Sequence, residues 1–324
     1  MAQQMTAATR LRARLIPYDY ESRDSRFGLL LILPAIVFVA LVVLVPMASV
    51  VVISFSNQMT VTDKFTFAGL SQYQTLLSNP DFLASVGRSV GWVVANAALQ
   101  TVLALGVALL LNRPFPGQGF VRSWIILPWI VPAAVIAILW KWILNATIGS
   151  VNTLLMGVGV IHAPIVFLSG TALAFPTLVC LNSWRLFPFM ALVVLAGLQG
   201  IPPEEYEAAR VDGASRWSVF RAITWPHLGP TLTVLGLVGT LWAANLFDLI
   251  WLLTRGGPIQ ATTTAPIFIY EQAFNSFDIA SAAAASVIFL LVLAAFAAVF
   301  VVLNRRQLGL FEGFAEQAEK ETRP

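Results

Sequence analysis

Residues 199–226 read QGIPPEEYEAARVDGASRWSVFRAITWP, a charged interruption in an otherwise apolar chain. Pro202 and Pro203 suit the first turn of a helix, where a missing amide donor costs no intrahelical bond. Glu204, Glu205 and Glu207 then fall near the positive end of that helix, a placement worth about 0.3–1 kcal/mol per carboxylate. Asp212-Gly213 supplies a turn or C-cap, and Ser215 caps a second short helix carrying Trp217, Val219 and Phe220. The pattern predicts two short helices with one apolar side held against the protein, before Pro226 leads back into an apolar run. A bare connection between antiparallel helices needs only about 2–8 residues, so a folded loop of this length has a task of its own.

Working outward, both flanks are membrane-like. Of 324 residues, 58% are hydrophobic and 11% are Asp, Glu, Lys or Arg, whereas a soluble domain carries about 25% charge. Mean hydropathy is +0.80, which requires lipid around much of the exterior and argues against a soluble enzyme, a disordered chain or a nucleic-acid binder. Crossing a bilayer takes about 20 apolar helical residues. Uncharged or nearly uncharged runs predict six spans, at about 29–53, 87–111, 123–143, 172–197, 230–253 and 279–303. The first is too long for a signal-peptide core of about 7–15 residues and is read as a retained helix. The stretch 144–170, broken by Asn145, Gly149, Asn152, Gly157, Gly159 and Pro164, reads as an extramembrane loop with a short helix.

The domain organisation that follows is a tail at 1–26, a membrane domain at 27–304 containing the folded loop at 199–229, and a loosely ordered polar tail at 305–324. Orientation comes from Lys and Arg. Arg10, Arg12, Arg14, Arg23, Arg26, Arg113, Arg122, Arg210, Arg216, Arg221, Arg305, Arg306, Lys320 and Arg323 fall on one side. Only Lys64, Arg88, Lys141 and Arg255 fall on or near the other. Both termini and the 199–229 loop are therefore expected in the cytoplasm, with the protein a multi-pass component of a bacterial inner membrane. One cysteine, Cys180, excludes an intrachain disulfide, and two histidines, His162 and His227, make a metal site improbable on composition.

The folded loop resembles the EAA signature of ABC importer permeases. Glu207-Ala208-Ala209 is followed at the family spacing by Gly213, Ile223 and Pro226, with Trp225 where leucine is usual. The resemblance implies an all-α integral membrane protein of six transmembrane helices, with the type I ABC importer permease fold and a cytoplasmic coupling-helix loop. It implies that Glu207, Ala208, Ala209, Asp212, Gly213, Ile223 and Pro226 couple the chain to a separate ATPase. The segments 196–202, Thr254-Arg-Gly-Gly-Pro258, Thr262–Thr264, 270–274, 69–73 and 79–82 are similar to the carbohydrate-uptake permeases of the maltose and glycerol-phosphate type. From that subgroup come the expected partners: a second permease subunit in a heterodimer, a nucleotide-binding ATPase dimer, an extracytoplasmic solute-binding protein and the lipid membrane, with no nucleic acid.

The chain itself contains no Gly-x-x-x-x-Gly-Lys-Ser/Thr phosphate loop, so ATP hydrolysis is expected from the partner, and no catalytic residue, cofactor or metal is assigned here. The expected cargo is a sugar, oligosaccharide or polyol. Charges within spans are costly and are commonly paired or functional. Arg185 precedes Gln199 by about 21 Å of helix, and Asp248 follows Pro230 by about 27 Å, which puts both in the outer half of the membrane. With Asn182, Trp184, Trp242 and Asn245 nearby, and Asn96 and Gln100 from the second span, they offer the polar forks and flat plates a sugar needs. Arg185 and Asp248 can equally form a structural ion pair, and Asn182 and Asn245 interhelical links. Three rivals have weaker support, the first an ABC importer permease for glycerol phosphate or another small solute. An ion-coupled secondary transporter would want more buried carboxylates than Asp248 alone, and a membrane enzyme would want a nucleophile and base at one depth.

Overall fold

The computed structural model describes residues 31–60 and 63–322; the basic tail expected at 1–26 lies outside them. Five described helices are long and apolar enough to cross a membrane, or six if one bent pair makes a single span. The chain divides into two units, at Val52 and Ile53. The first contains most of α1 (Leu31–Ile53), which includes a π-helical turn at Ala40–Leu44 and leaves its large apolar side chains exposed.

In the second unit, α2 (Ser71–Leu77) leads to α3 (Pro80–Leu111). Asn79 starts α3 by accepting from the amides of Asp81 (2.8 Å) and Phe82 (3.3 Å), with Pro80 in the first turn. Next come α4 (Gln118–Ile130) and α5 (Ala133–Ile143), which meet at 91°. The cause is Val131: the ring of Pro132 excludes it from helical geometry, and it is extended at φ −69°, ψ 131°. The interrupted stretch at 144–170 carries one short helix, α6 (Ser150–Gly157).

The centre of the unit is α7 (Ala174–Gln199), whose packing is mainly against α3, with α9 on another side. It is followed by α8 (Pro203–Val211), α9 (Arg216–Ala244), α10 (Asp248–Thr254), α11 (Ala265–Tyr270, continued by a π turn at Glu271–Asn275) and α12 (Ile279–Thr322). One apolar cluster joins Trp92, Leu178, Leu181, Ala243, Leu249 and Ile250. A second joins Ala108, Leu111, Val194, Leu198, Ile201 and Leu228 near the α8 end. Among the described residues no β-strand forms beyond one isolated bridge, Ser56 to Phe67.

Three expectations change. The second short helix of the 199–226 loop is not separate, because α9 runs unbroken from Arg216 through Pro226 and Pro230, with a π turn at Phe220–Thr224. The fifth apolar run is broken at Asn245, whose side-chain amide donates to the Leu241 carbonyl (2.9 Å) and ends the helix. Asp248 consequently opens its own helix rather than continuing a rod from Pro230. The loosely ordered tail expected from 305 is instead the end of α12, which meets no proline before Thr322.

Candidate functional site

The 199–226 segment forms a two-helix projection. Pro202 is the N-cap of α8 and Pro203 its first residue; Asp212 is the C-cap. The reversal needs a left-handed residue, supplied by Gly213 at φ +70°, where an added Cβ would meet nothing within 4 Å. Glycine is required there by backbone sign, not by space. The Gly213 amide donates to the Arg210 carbonyl (3.1 Å) and that of Ala214 to Ala209 (2.9 Å). Ser215 then caps α9 by accepting from the Ser218 amide at 3.2 Å.

Of the residues expected to carry coupling, Glu207, Ala208, Asp212, Gly213 and Pro226 are exposed, Ala209 is half-buried, and Ile223 packs into the Leu198–Ile201–Leu228 cluster. The apolar side of the second helix does not lie against the protein as expected. Trp217 is 68% exposed and stacks only on Phe220 (5.6 Å between centroids), while Val211 is 88% exposed. Two large apolar side chains flank a charged tip. The anomaly was present in the sequence as a tryptophan and a valine among charges, but their exposure depends on how α8 docks. That docking is specific. Glu205 reaches His227 of α9 (Oε1 to Nε2, 3.2 Å), and the hydroxyls of Tyr206 and Thr224 meet at 3.2 Å.

The polar residues expected to line a pathway separate into two groups. Asn96, Gln100 and Asn182 close on one another between α3 and α7 and are fully or almost fully buried. The Asn96 carbonyl oxygen accepts from Asn182 (2.8 Å), Gln100 (3.1 Å) and Ser183 (3.3 Å), while its amide donates to the Trp92 carbonyl (2.9 Å). In this conformation the Asn96 carbonyl joins the three, while the Asn182 Oδ1 is buried with no hydrogen-bond partner and Gln100 also lines a small cavity with Met190 and Gly239.

Trp184, Arg185, Trp242, Asn245 and Asp248 stand instead on an open face of the chain. Trp184 and Trp242 are 39% and 44% exposed, Asn245 and Asp248 are exposed, and Arg185 is half-buried. Among the described residues Arg185 and Asp248 form no salt bridge, although the Asp248 charge acts on Arg185, and the Arg185 Nε has no hydrogen-bond partner. Aromatic rings flank the group: Trp140 is edge-on to Trp184 (5.5 Å), and Phe189 lies between Trp129 (5.0 Å) and Trp242 (5.7 Å). Beyond Asn245, a cavity of about 430 Å³ is lined by Phe247, Tyr270 and Phe274, which sequence reading had not joined to Asn245 because they come from separate elements.

Among the described residues no group of three or more His, Cys, Asp or Glu side chains is placed to hold a metal ion. The arrangement offers charged and amide hydrogen bonds on an aromatic face, and an exposed two-helix handle at the far end of α9.

Comparison with known proteins identifies the family. Residues 100–309 match the family described as binding-protein-dependent transport system inner membrane component. The chain is 34% identical over 283 residues to the trehalose/maltose transport system permease protein MalF of Thermococcus litoralis, covering 87% of this chain and 95% of that protein. It is 31% identical to the sulfoquinovosyl glycerol transport system permease protein SmoG of Agrobacterium fabrum, covering 82% and 86%. Its fold is similar to a chain of a bacterial ABC transporter involved in the import of the acidic polysaccharide alginate, with a TM-score of 0.76, 24% identity and coverage of 88% and 96%. This chain belongs to the family of inner-membrane components of binding-protein-dependent transport systems.

Proposed function

We propose that this chain is a permease subunit of an ATP-driven importer for a sugar, oligosaccharide or polyol, delivered by an extracytoplasmic binding protein. The observation that carries the reading is the two-helix projection. A segment with the EAA spacing stays uncovered at its tip, through Glu207, Val211, Asp212 and Trp217, while its root is fastened to a membrane-crossing helix. An exposed tip with apolar anchors beside charges has the composition of a docking surface, and the partner it suits is a nucleotide-binding subunit.

One such projection per chain pairs naturally with one cleft per ATPase subunit, so an ATPase dimer takes two permease chains, here this one and a second permease. The distribution of Lys and Arg sets the projection and both termini in the cytoplasm. Trp184, Arg185, Trp242, Asn245 and Asp248 form the face toward which the two permeases open. There sugar hydroxyls meet charged and amide groups, and sugar C–H faces meet indole rings. Asn96, Gln100 and Asn182 hold the wall behind that face. The carbohydrate assignment is supported by the trehalose/maltose and sulfoquinovosyl glycerol permeases it resembles.

The test uses the four-part complex in proteoliposomes, with maltose and trehalose as first probes, both screened for thermal stabilisation of the cognate binding protein. Glu207→Ala and Gly213→Val are expected to abolish ATP-driven uptake while the chain still inserts in the membrane. Normal uptake by both variants overturns the coupling reading.

A further inference from the structure

The turn between α8 and α9 is held by backbone hydrogen bonds within α8 and the turn itself. Gly213 stands in open space, and Asp212 and Ala214 hold only local backbone hydrogen bonds, to Ala208 and Ala209. A push on α8 delivered through this turn alone would be absorbed by rotation about three residues. Two side-chain ties bypass it.

The first is the contact of Glu205 with His227, each about two-fifths exposed (40%). The imidazole is held on both edges, because Nδ1 faces the Ile223 carbonyl at 2.8 Å while Nε2 faces the carboxylate. The second tie is the hydroxyl pair of Tyr206 and Thr224 (3.2 Å), at a position where Thr224 is buried. Glu205 and Tyr206 are consecutive on α8. Thr224 and His227 are three apart on α9 and so share one face. Ile223 and Tyr206 also pack against Leu198, Ile201 and Leu228, which roots the same contact in the membrane part of the bundle.

We propose that Glu205, Tyr206, Thr224 and His227 lock α8 to α9 as one lever, so that displacement of the projection becomes displacement of the membrane span that ends at Asn245. They are positioning residues, acting by denying the Gly213 turn its freedom. The inference rests on the coupling reading above and adds the route by which the motion reaches the solute face.

The experiment uses the full transporter in proteoliposomes. One measurement is maltose or trehalose imported per ATP hydrolysed, according to which sugar stabilises the binding protein. In the doubly untied chain, Glu205→Gln with Tyr206→Phe, complex assembly and basal ATP hydrolysis are expected to persist. Sugar moved per ATP falls about fivefold, the scale of losing one exposed polar contact and one hydroxyl contact. The swap Glu205→His with His227→Glu restores most of the ratio relative to Glu205→Gln alone, a rescue that loss of bulk structure would not permit. The other measurement places spin labels at Glu204→Cys and Val234→Cys in a Cys180→Ser background. A rigid lever gives one narrow distance distribution, the same without nucleotide and with trapped ATP, which broadens in the untied chain. An unchanged ratio in the untied chain, or a distribution already broad in the tied one, overturns the lever. Neither result would touch the docking role of Glu207, whose replacement is read independently by loss of uptake.

Discussion

Asn96 and Asn245 are the same residue type in neighbouring parts of one bundle, yet their surroundings are opposite. Asn96 lies between two helices with its carbonyl oxygen taken by three donors and its amide bound to Trp92. Asn245 stands exposed at a helix break, using one amide hydrogen for its own backbone and leaving the rest of its polar edge open. Around Asn96 buried amides join α3 to α7, with the Asn182 Oδ1 left over. Around Asn245, with Arg185 and Asp248, polarity is left available on a face of half-exposed indoles. Polar groups inside a membrane bundle thus serve two ends, and burial between helices distinguishes them where residue type does not.

The largest effect is expected from breaking the buried knot. Asn96→Leu removes one acceptor but orphans donors on Asn182, Gln100 and Ser183, and each buried unpaired group costs about 1–3 kcal/mol. Alternative partners within the bundle soften this, since interhelical bonds in membrane proteins average about 0.6 kcal/mol. A net loss of about 2 kcal/mol is expected, measured as reduced thermal stability of the purified complex. Asn245→Leu leaves no buried partner stranded and should stay within about 0.5 kcal/mol. Equal losses for the two variants would erase the distinction between knot and open face.

The next effect reverses the order and concerns function. Arg185→Gln removes the one guanidinium of that face, whose Nε has no internal partner. A charge-assisted hydrogen bond to solute is worth about 1.5–3 kcal/mol, so maltose-stimulated ATP hydrolysis should need about tenfold or more sugar-loaded binding protein to reach half-maximum. Thermal stability should hardly move. If the solute response is unaltered and the complex loosens instead, Arg185 belongs with the knot.

A sharper cut is the double-mutant cycle of Arg185→Gln with Asp248→Asn, followed through thermal stability. The two side chains form no direct salt bridge, and Asp248 is exposed. Their coupling should therefore lie at or below about 0.5 kcal/mol, as for exposed or separated charges. A coupling of several kcal/mol would restore the structural ion pair that the residues alone left open.

These contrasts mark what was legible beforehand. The helical class and the apolar runs follow from composition, because lipid tolerates little else than an uncharged helix. The Pro202–Pro203 start, the Gly213 reversal and the Ser215 cap were readable because each depends on a local backbone requirement. The break at Asn245 was not, since an asparagine in an apolar run looks like any polar residue until its side chain is seen bonding its own helix. The continuity of α9 through Pro226 was hidden for a similar reason: proline looks like a boundary, but it sits in the first turn after a π turn that ends at Thr224. The sorting of eight candidate residues into knot and face depends on which helices become neighbours. That information is tertiary, and no spacing along one chain supplies it.

The smallest expected effect carries the same contrast to two aspartates. Asp248 has an exposed carboxylate beside Asn245, whereas Asp63, outside the spans, closes a local loop by accepting from the amides of Thr60 (2.7 Å) and Met59 (3.1 Å). The Thr60 hydrogen bonds, with a lesser one from Met59, hold the Asp63 carboxyl below its ordinary 3.8. A depressed carboxylate stabilises the fold above its unfolded value, and that contribution is lost as pH falls through the folded one. The loop has something to transmit, because the Met59 and Gln58 carbonyls accept from the amides of Ile279 (3.2 Å) and Ala280 (3.0 Å), the first residues of α12. On acidification below the ordinary carboxylate range, amide exchange corrected for intrinsic rate should rise at 59–60 and 279–280 together. Asp63→Asn should show that raised exchange already at neutral pH, with no further step on acidification. Exchange that rises at 59–60 while 279–280 stays protected would mean that the loop closes on itself without bracing α12.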